Sequence, residues 1–328
     1  MSTVRPGVAE IAPTVADEIL RLHGDALQQL YRQCEDQLGA NWQAMSDKPA
    51  ESVATTLAAL WHAAASAALS LERAGEQPLP ALDANGRARL RELVSERVRG
   101  TPLAQLTGIQ TFMGIEFMVS ADALIPRVET ELLGYAALAK VRECLAQQGR
   151  APVVLDVCTG SGNLALALAS HEPGAQVRGA DLSTDAVALA KRNAMKLGLG
   201  ERVTFLEGDL LAPFDTAEFR GRVDVIVCNP PYISSAKVDA MREEIIQHEP
   251  RLAFDGGPLG IRILQRLVNE APQFLRAGGW LAFEVGLGQG RGMRKRLEQL
   301  GVYDEIAEIV DAQGQVRALA ACANGRVP

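Results

Sequence analysis

Between Val223 and Tyr232 the chain reads Val-Asp-Val-Ile-Val-Cys-Asn-Pro-Pro-Tyr, and that junction limits the fold more than any other stretch. An apolar run of this length reads as a buried strand. Neither proline can donate to a ladder, so the strand ends at Cys228 and the chain leaves the sheet there. Open α/β sheets place their ligands outside the C-terminal ends of their strands. Asn229 therefore stands at a ligand-facing edge, with a side-chain amide that offers both an acceptor and donors. Pro230 and Pro231 stiffen the exit and expose carbonyls, and Tyr232 supplies a flat face. The four residues make a clamp for a planar group bearing N–H bonds, either a primary amide or an exocyclic amine. A rigid turn after a strand is the simpler reading of these four alone, and the upstream sequence argues against it.

That upstream sequence runs from Val153 through Asp156, Cys158, Thr159, Gly160, Ser161 and Gly162 into an Ala/Leu-rich segment beginning near Asn163. A short strand ends at Asp156, a glycine loop follows, and a helix begins. Gly160 and Gly162 let backbone amides approach a ligand where a Cβ would block it. The spacing also fits the dinucleotide fingerprint G-x-G-x-x-A. Asp181 ends the next apolar segment and is placed to accept hydrogen bonds from both hydroxyls of a ribose. Adenosine binding follows, and these features leave NAD and S-adenosylmethionine both open. Asp156 tilts the choice, because a carboxylate before the loop repels a pyrophosphate and suits the cationic methionine end of S-adenosylmethionine. Asp209, followed by Leu210, closes a third strand-like segment and faces the adenine edge in this reading.

Strand and helix alternate around these motifs. Strands are expected at 153–157, 176–181, 202–206, 223–228 and 280–285, and helices at 163–170, 184–198, 259–276 and 288–300. The chain ends on a strand pair at 303–309 and 315–322. Such alternation implies an α/β fold, a mostly parallel sheet with helices on both faces. Residues 108–121 alternate about Gly114 in the manner of a hairpin. Before them, Thr14 to Leu38, Pro49 to Ala74 and Asn85 to Arg99 read as helices, with Asp83 at a capped start. Three parts result: a helical domain over 1–99, a hairpin linker over 100–127 and the α/β domain over 128–328.

At 328 residues and 48% apolar content the chain has material for about two cores. No stretch approaches the roughly 18–20 apolar residues of a membrane span, and the first residues lack a basic region followed by an apolar one. Five scattered cysteines without C-x-x-C spacing disfavour a disulfide framework and a zinc site. Together these predict a cytoplasmic protein. A net charge of −7 argues against affinity for a nucleic-acid backbone. The four histidines show no metal-ligand pattern, and no metal is implied.

From Gly100 to about Ala320 the chain resembles the protein N5-glutamine methyltransferases that modify the Gly-Gly-Gln loop of peptide-chain release factors. Four segments carry the resemblance: Asp156 to Gly162, Asn229 to Tyr232, Leu124-Ile-Pro-Arg-Val-Glu-Thr-Glu131, and His248-Glu-Pro-Arg-Leu-Ala-Phe-Asp-Gly-Gly257. It implies a Rossmann-like class I S-adenosylmethionine-dependent methyltransferase sheet, with an N-terminal helical domain that docks the protein substrate. It also implies a cofactor site of Asp156, Cys158, Thr159, Gly160, Ser161, Gly162, Asp181, Asp209, Leu210 and Asn229. Catalysis falls to Asn229, Pro230, Pro231 and Tyr232, and the partner is a release factor. Cys158-Thr-Gly-Ser-Gly also resembles the sister enzyme that methylates a large-subunit ribosomal protein, and Leu259 interrupts the family's usual Gly-Gly-x-Asp-Gly run. Asn-Pro-Pro-Tyr is shared with nucleic-acid adenine and guanine N-methyltransferases. The segment from Pro126 to Glu131 favours protein glutamine; Glu129 reads equally as a site residue or as part of the first turn of a helix, and Thr130 leans toward a site role.

Overall fold

Residues 24–42, 50–241 and 248–327 are described by a computed structural model, in which the chain divides between Ile109 and Gln110 into two units. In the first, the described residues form helices α1 (Asp25–Ala40), α2 (Val53–Ala64), α3 (Leu71–Glu76), α4 (Ala84–Val98) and α5 (Leu103–Thr107). Their apolar faces meet at Leu30, Leu57, Leu60, Trp61, Leu90 and Val94, all buried. The Trp61 indole N–H donates to the Pro80 carbonyl at 2.8 Å, which leaves its polar edge satisfied inside that core. Asp83 caps α4 by accepting from the Gly86 N–H at 2.7 Å.

The helix expected over 49–74 is two helices. Ser66 takes a φ of 57°, and the Ala67 N–H donates back to the His62 carbonyl at 3.0 Å, closing α2 in a Schellman-type end. Serine fills the left-handed position that glycine usually takes, so no residue type announces the break. The start of the helix expected over 14–38, and Pro49, lie outside the described residues.

Beyond Thr107 the chain forms a hairpin, β1 (Ile109–Phe112) and β2 (Ile115–Met118). Met113 and Gly114 both have positive φ, 48° and 75°, the two-residue turn whose twist suits a hairpin. The second unit continues with α6 (Thr130–Gln148), β3 (Val153–Val157), α7 (Asn163–His171), β4 (Gln176–Asp181), α8 (Thr184–Lys196), β5 (Val203–Glu207) and β6 (Val223–Cys228). It closes with α9 (Ser235–Asp239), α10 (Arg262–Glu270), β7 (Leu275–Glu284), α11 (Gly290–Leu300), β8 (Tyr303–Val310) and β9 (Val316–Ala323).

Neighbouring residues of the inner strands are buried on both sides, which requires cover on both faces of the sheet. Val154, Val177, Val225 and Ala282 pack toward α6, α7 and α8, while Leu155, Ile226 and Phe283 pack toward α10 and α11. The strand order is β5-β4-β3-β6-β7-β9-β8, a class I methyltransferase arrangement. Strands β3 to β7 run parallel, and β9 enters antiparallel between β7 and β8.

The largest departures from the expected boundaries lie between α10 and β7. The helix expected over 259–276 ends at Glu270 in a short 3₁₀ turn holding Pro272, and β7 begins five residues earlier than expected, at Leu275. Its first half carries a register shift against β6, filled by Gly278 and Gly279. A Cβ on Gly279 would stand 2.9 Å from the Val223 carbonyl oxygen, so the pair fills a bulge in close backbone contact.

Within the otherwise apolar β6, Asp224 is fully buried. It accepts from Arg150 at 2.9 and 3.0 Å, Gln148 at 2.9 Å, the Val153 N–H at 2.8 Å, and Arg276. Burial raises its pKa, but the hydrogen bonds from Arg276, Val153, Gln148 and Arg150 outweigh it and hold the carboxyl below its ordinary value. Asp224→Asn should therefore lower unfolding free energy by about 2–3 kcal/mol near neutral pH. A depressed carboxyl contributes stability above its unfolded pKa, near 3.9, and loses it as pH falls through the folded value. Urea melts should show the deficit constant from pH 8 to pH 5 and shrinking only in more acidic buffer; a deficit independent of pH throughout would point to packing instead.

Candidate active site

Strand β3 pairs with β4 on one side and with β6 on the other, Val157 standing opposite Cys228. The strand order reverses there, so the loops after β3 and β6 diverge and leave a crevice at the C-terminal edge. A cavity of about 220 Å³ opens at that edge. Of the residues singled out from the sequence, Cys158, Thr159, Gly160, Asp181, Asp209, Leu210, Asn229 and Pro231 line it. Asp156, Ser161, Gly162, Pro230 and Tyr232 are not among the residues that line it, though each adjoins one that does.

Asp156 holds the glycine loop from beneath. It is fully buried, and its Oδ2 accepts from the Thr159 hydroxyl at 2.6 Å and the Ala165 N–H at 3.0 Å. Its Oδ1 is buried with no donor among the described residues. Burial pushes the carboxyl up to about 7, against the opposing pull of Thr159 and Ala165. Gly162 has a φ of 79°, and a Cβ there would sit 3.0 Å from both Ala190 and the Phe205 ring. The buried Ser161 offers its carbonyl to Asn193 at 3.0 Å, and Asn193 also pairs with the Met118 backbone at 2.7 and 3.1 Å.

Asp181 crosses to the loop from the end of β4. One oxygen accepts from the Gly160 N–H at 2.8 Å and the other from the Ser183 N–H at 2.9 Å. Burial raises its pKa and those backbone donors counter it. Asp209, just beyond β5, meets Arg266 through both oxygens, at 3.0 and 2.9 Å.

At the exit of β6, the Asn229 Nδ2 donates to the Thr130 hydroxyl oxygen at 3.2 Å. Its Oδ1, and the Pro230 carbonyl, accept from no described residue. The Thr130 hydroxyl donates to Glu284 at 2.7 Å, and the Tyr232 hydroxyl donates to the other Glu284 oxygen at 2.8 Å. Burial and the adjoining Glu284 push the Tyr232 phenol up, so it remains a donor. Thr130 also lines the cavity, whereas Glu131 turns away to accept from the Met113 N–H at 2.6 Å.

Two segments read separately in the sequence meet here. Glu249, nearly buried, accepts from the Ile125 N–H at 2.8 Å and pairs with Arg127, which ties Leu124–Glu131 to His248–Gly257. The glycines beyond it brace the substrate motif. Ile233 donates to the Phe254 carbonyl at 2.9 Å, and Gly256 donates to Ile233 at 2.8 Å. A Cβ on Gly256 would lie 2.6 Å from the Pro231 carbonyl oxygen, and one on Gly260 would lie 2.4 Å from that of Tyr232. Only glycine permits that approach.

Sequence reasoning missed Glu284 and Asn193. Glu284 closes β7 as Asp181 closes β4, an acid at the end of an apolar strand, but the run expected at 280–285 reads straight through it. Asn193 sits mid-helix with nothing to separate it from a solvated residue.

The methyltransferase small domain family matches residues 138–261. Release factor glutamine methyltransferase of Geobacter sulfurreducens is 40% identical over 244 residues, 73% of this chain and 80% of that one. Its namesake in Rhodopirellula baltica is 41% identical over 71% of this chain and 77% of that one. The Moorella thermoacetica protein of the same name is 39% identical over 71% and 79%. Among solved structures, the human methyltransferase 10 domain containing protein is 17% identical with a TM-score of 0.49, over 71% of this chain and 96% of that one. Identity at the level of the three bacterial relatives, over that much of both chains, makes this protein a member of the release factor glutamine methyltransferase family.

Proposed function

We propose that the protein methylates the side-chain amide nitrogen of a glutamine in the Gly-Gly-Gln loop of a peptide-chain release factor, using S-adenosylmethionine. The observation that carries this reading is the fixed orientation of Asn229. Its Nδ2 is engaged by Thr130, so its Oδ1 is the atom left to accept at the cavity. The residues present also fit the cofactor. Asp181 has a lone pair remaining on each oxygen for a ribose hydroxyl. The donorless Oδ1 of Asp156 sets negative charge beneath the loop, where a cationic group belongs. Cys158, Thr159, Gly160, Asp209 and Leu210 form the surrounding wall, and Ser161 and Gly162 shape the loop.

When bound, S-adenosylmethionine supplies a methyl group on a positively charged sulfur. The protein's task is the nucleophile, because an amide nitrogen's lone pair is delocalised into its carbonyl. Asn229 Oδ1 and the Pro230 carbonyl each accept one N–H of the substrate amide and hold the nitrogen with its lone pair toward the cofactor side. Such positioning is worth several kcal/mol, and fixed dipoles favouring the pyramidal nitrogen add to it. Pro231 and Tyr232 keep those two acceptors rigid. No strong base is needed if the proton leaves after transfer.

A net charge of −7 favours a basic protein surface over a phosphate backbone as partner. No helix among the described residues is long and apolar enough to cross a membrane, and the protein works in the cytoplasm in this reading. The helices before residue 100 supply distant contacts to the substrate protein. A glutamine in a glycine-flanked loop can enter a clamp that grips from several sides, which one on a regular helix cannot do without unfolding.

Mass spectrometry of purified release factors and ribosomal proteins, incubated with enzyme and S-adenosylmethionine, should show one methyl group on a release-factor glutamine. Methyl groups on RNA, DNA or a ribosomal protein instead would overturn the assignment. Asn229→Ala should keep the fold and S-adenosylhomocysteine affinity while losing roughly 10²–10³ in turnover; near-normal turnover would remove Asn229 from the mechanism. Asp181→Ala should weaken S-adenosylhomocysteine binding by about 1–3 kcal/mol in calorimetry, and tight NAD binding without S-adenosylhomocysteine binding would exclude this cofactor.

A further inference from the structure

Glu284 is a carboxylate with 2% exposure that touches neither the cavity nor solvent, and the chemistry above leaves it idle. Its hydrogen bonds are nonetheless directional. Oε1 accepts from the Tyr232 hydroxyl at 2.8 Å and Oε2 from the Thr130 hydroxyl at 2.7 Å. A hydroxyl has a single proton and two lone pairs. With its proton committed to Glu284, Thr130 can present only lone pairs to Asn229, whose amide lies 3.2 Å away. The Asn229 side chain must then turn Nδ2 toward Thr130 and Oδ1 away from it.

We infer that Glu284 is a positioning residue that sets which end of the Asn229 amide faces the substrate, acting through the Thr130 hydroxyl. The inference rests on the reading of Asn229 as an acceptor for the substrate amide. An ionised Glu284 accepts from both hydroxyls and fixes the order Asn229 to Thr130 to Glu284, each donating to the next. A neutral group at 284 can donate to Thr130, which frees the threonine proton to turn toward Asn229. The two ends of an asparagine amide are nearly the same size, so the side chain then flips with little steric resistance. It would offer N–H groups to the N–H groups of the substrate, a donor against a donor.

The surroundings keep the carboxylate confined but chargeable. Burial raises its pKa, while Thr130 and Tyr232 as donors and Arg317 on β9 lower it, and Glu129 before α6 raises it again. Arg127 and Arg317 act on the adjoining Tyr232. Turnover should therefore fall as acid protonates Glu284, from a pH above the ordinary carboxylate range.

The test uses the full-length enzyme with a purified release factor and S-adenosylmethionine. Glu284→Gln should lower kcat by about 100-fold, leave S-adenosylhomocysteine affinity within about threefold, and change the acidic limb of the kcat profile to what Asp156 and Asp181 alone contribute. Thr130→Val, which removes the relay while keeping the glutamate itself, should lower kcat to a similar extent, and Thr130→Ser, which returns the donor to Glu284, should restore most of what valine loses. Should Glu284→Gln not fold, the Thr130 pair decides alone. Equal losses in Thr130→Ser and Thr130→Val, or a Glu284→Gln enzyme with wild-type turnover and an intact acidic limb, would overturn the role of Glu284 and leave the proposed reaction standing. A wild-type enzyme that transfers no methyl group to the release factor would overturn both.

Discussion

The parallel pairing of β3 with β6, with Val157 opposite Cys228, decides where everything else can stand. The two strands end side by side, so the glycine loop and the Asn-Pro-Pro-Tyr exit leave the sheet as neighbours although some seventy residues of chain separate them. The reversal of strand order at that pair sends β4 and β5 to one side and β7 to the other. Asp181 and Glu284 close strands on opposite flanks of the junction and reach back toward it. One bonds the loop that follows β3 and the other bonds the residues around the exit of β6. A shift of one residue in this register would carry every side chain of β6 to the opposite face, and would break both arrangements together.

Buried carboxylates serve the two ends of the sheet differently. Removing such a group from water costs several kcal/mol, and only well-placed donors offset that. At the edge remote from the cavity, Asp224 receives five hydrogen bonds and its carboxyl is held low. At the cavity edge, Asp156 receives two, leaves one oxygen idle, and its carboxyl rises to about 7. The first is the signature of a fastener. The second is a charge left incompletely compensated where a ligand can complete it, the asymmetry expected of a functional site. Glu284 divides its two oxygens between Thr130 and Tyr232, while Glu249 gives both of its oxygens to Ile125 and Arg127 and so ties their segment to its own.

The alternation of strand and helix was legible because both faces of the sheet are covered, so the inner strands read as unbroken apolar runs. The cavity walls were legible for a related reason: acids and glycines at strand ends stand out against those runs. What stayed hidden is tertiary. That Glu249 would seize Ile125 and Arg127 cannot be read from two motifs more than a hundred residues apart. Asn193 looks like any polar residue on a helix until the Ser161 carbonyl and the β2 backbone are seen around it. Gly278 and Gly279 carry the composition of a turn but fill a bulge, because only the partner strand reveals how close the Val223 carbonyl comes. The α2 break was invisible because Ser66, not glycine, adopts the left-handed conformation.

Backbone strain in the second unit follows the same geography. Among the described residues, Ser66, Met113, Cys158 and Leu210 are the non-glycine positions with positive φ. A helix end explains the first and a hairpin turn the second. Cys158 and Leu210 have neither excuse, and both line the cavity. A β-carbon in this conformation costs roughly 1–2 kcal/mol, which the surroundings must hold in place. They do so on each flank. Thr159 donates to the Ala180 carbonyl at 3.0 Å and Gly162 to Thr159 at 2.9 Å, so the turn through Cys158 cannot relax. Gly208 donates to the Asp181 carbonyl at 2.8 Å and Ala212 to Asp209 at 3.0 Å, which pins the turn through Leu210. Glycine at either position would relieve the strain and remove a wall of the cavity. The chain keeps the side chain and bears the strain at two turns that line the cavity.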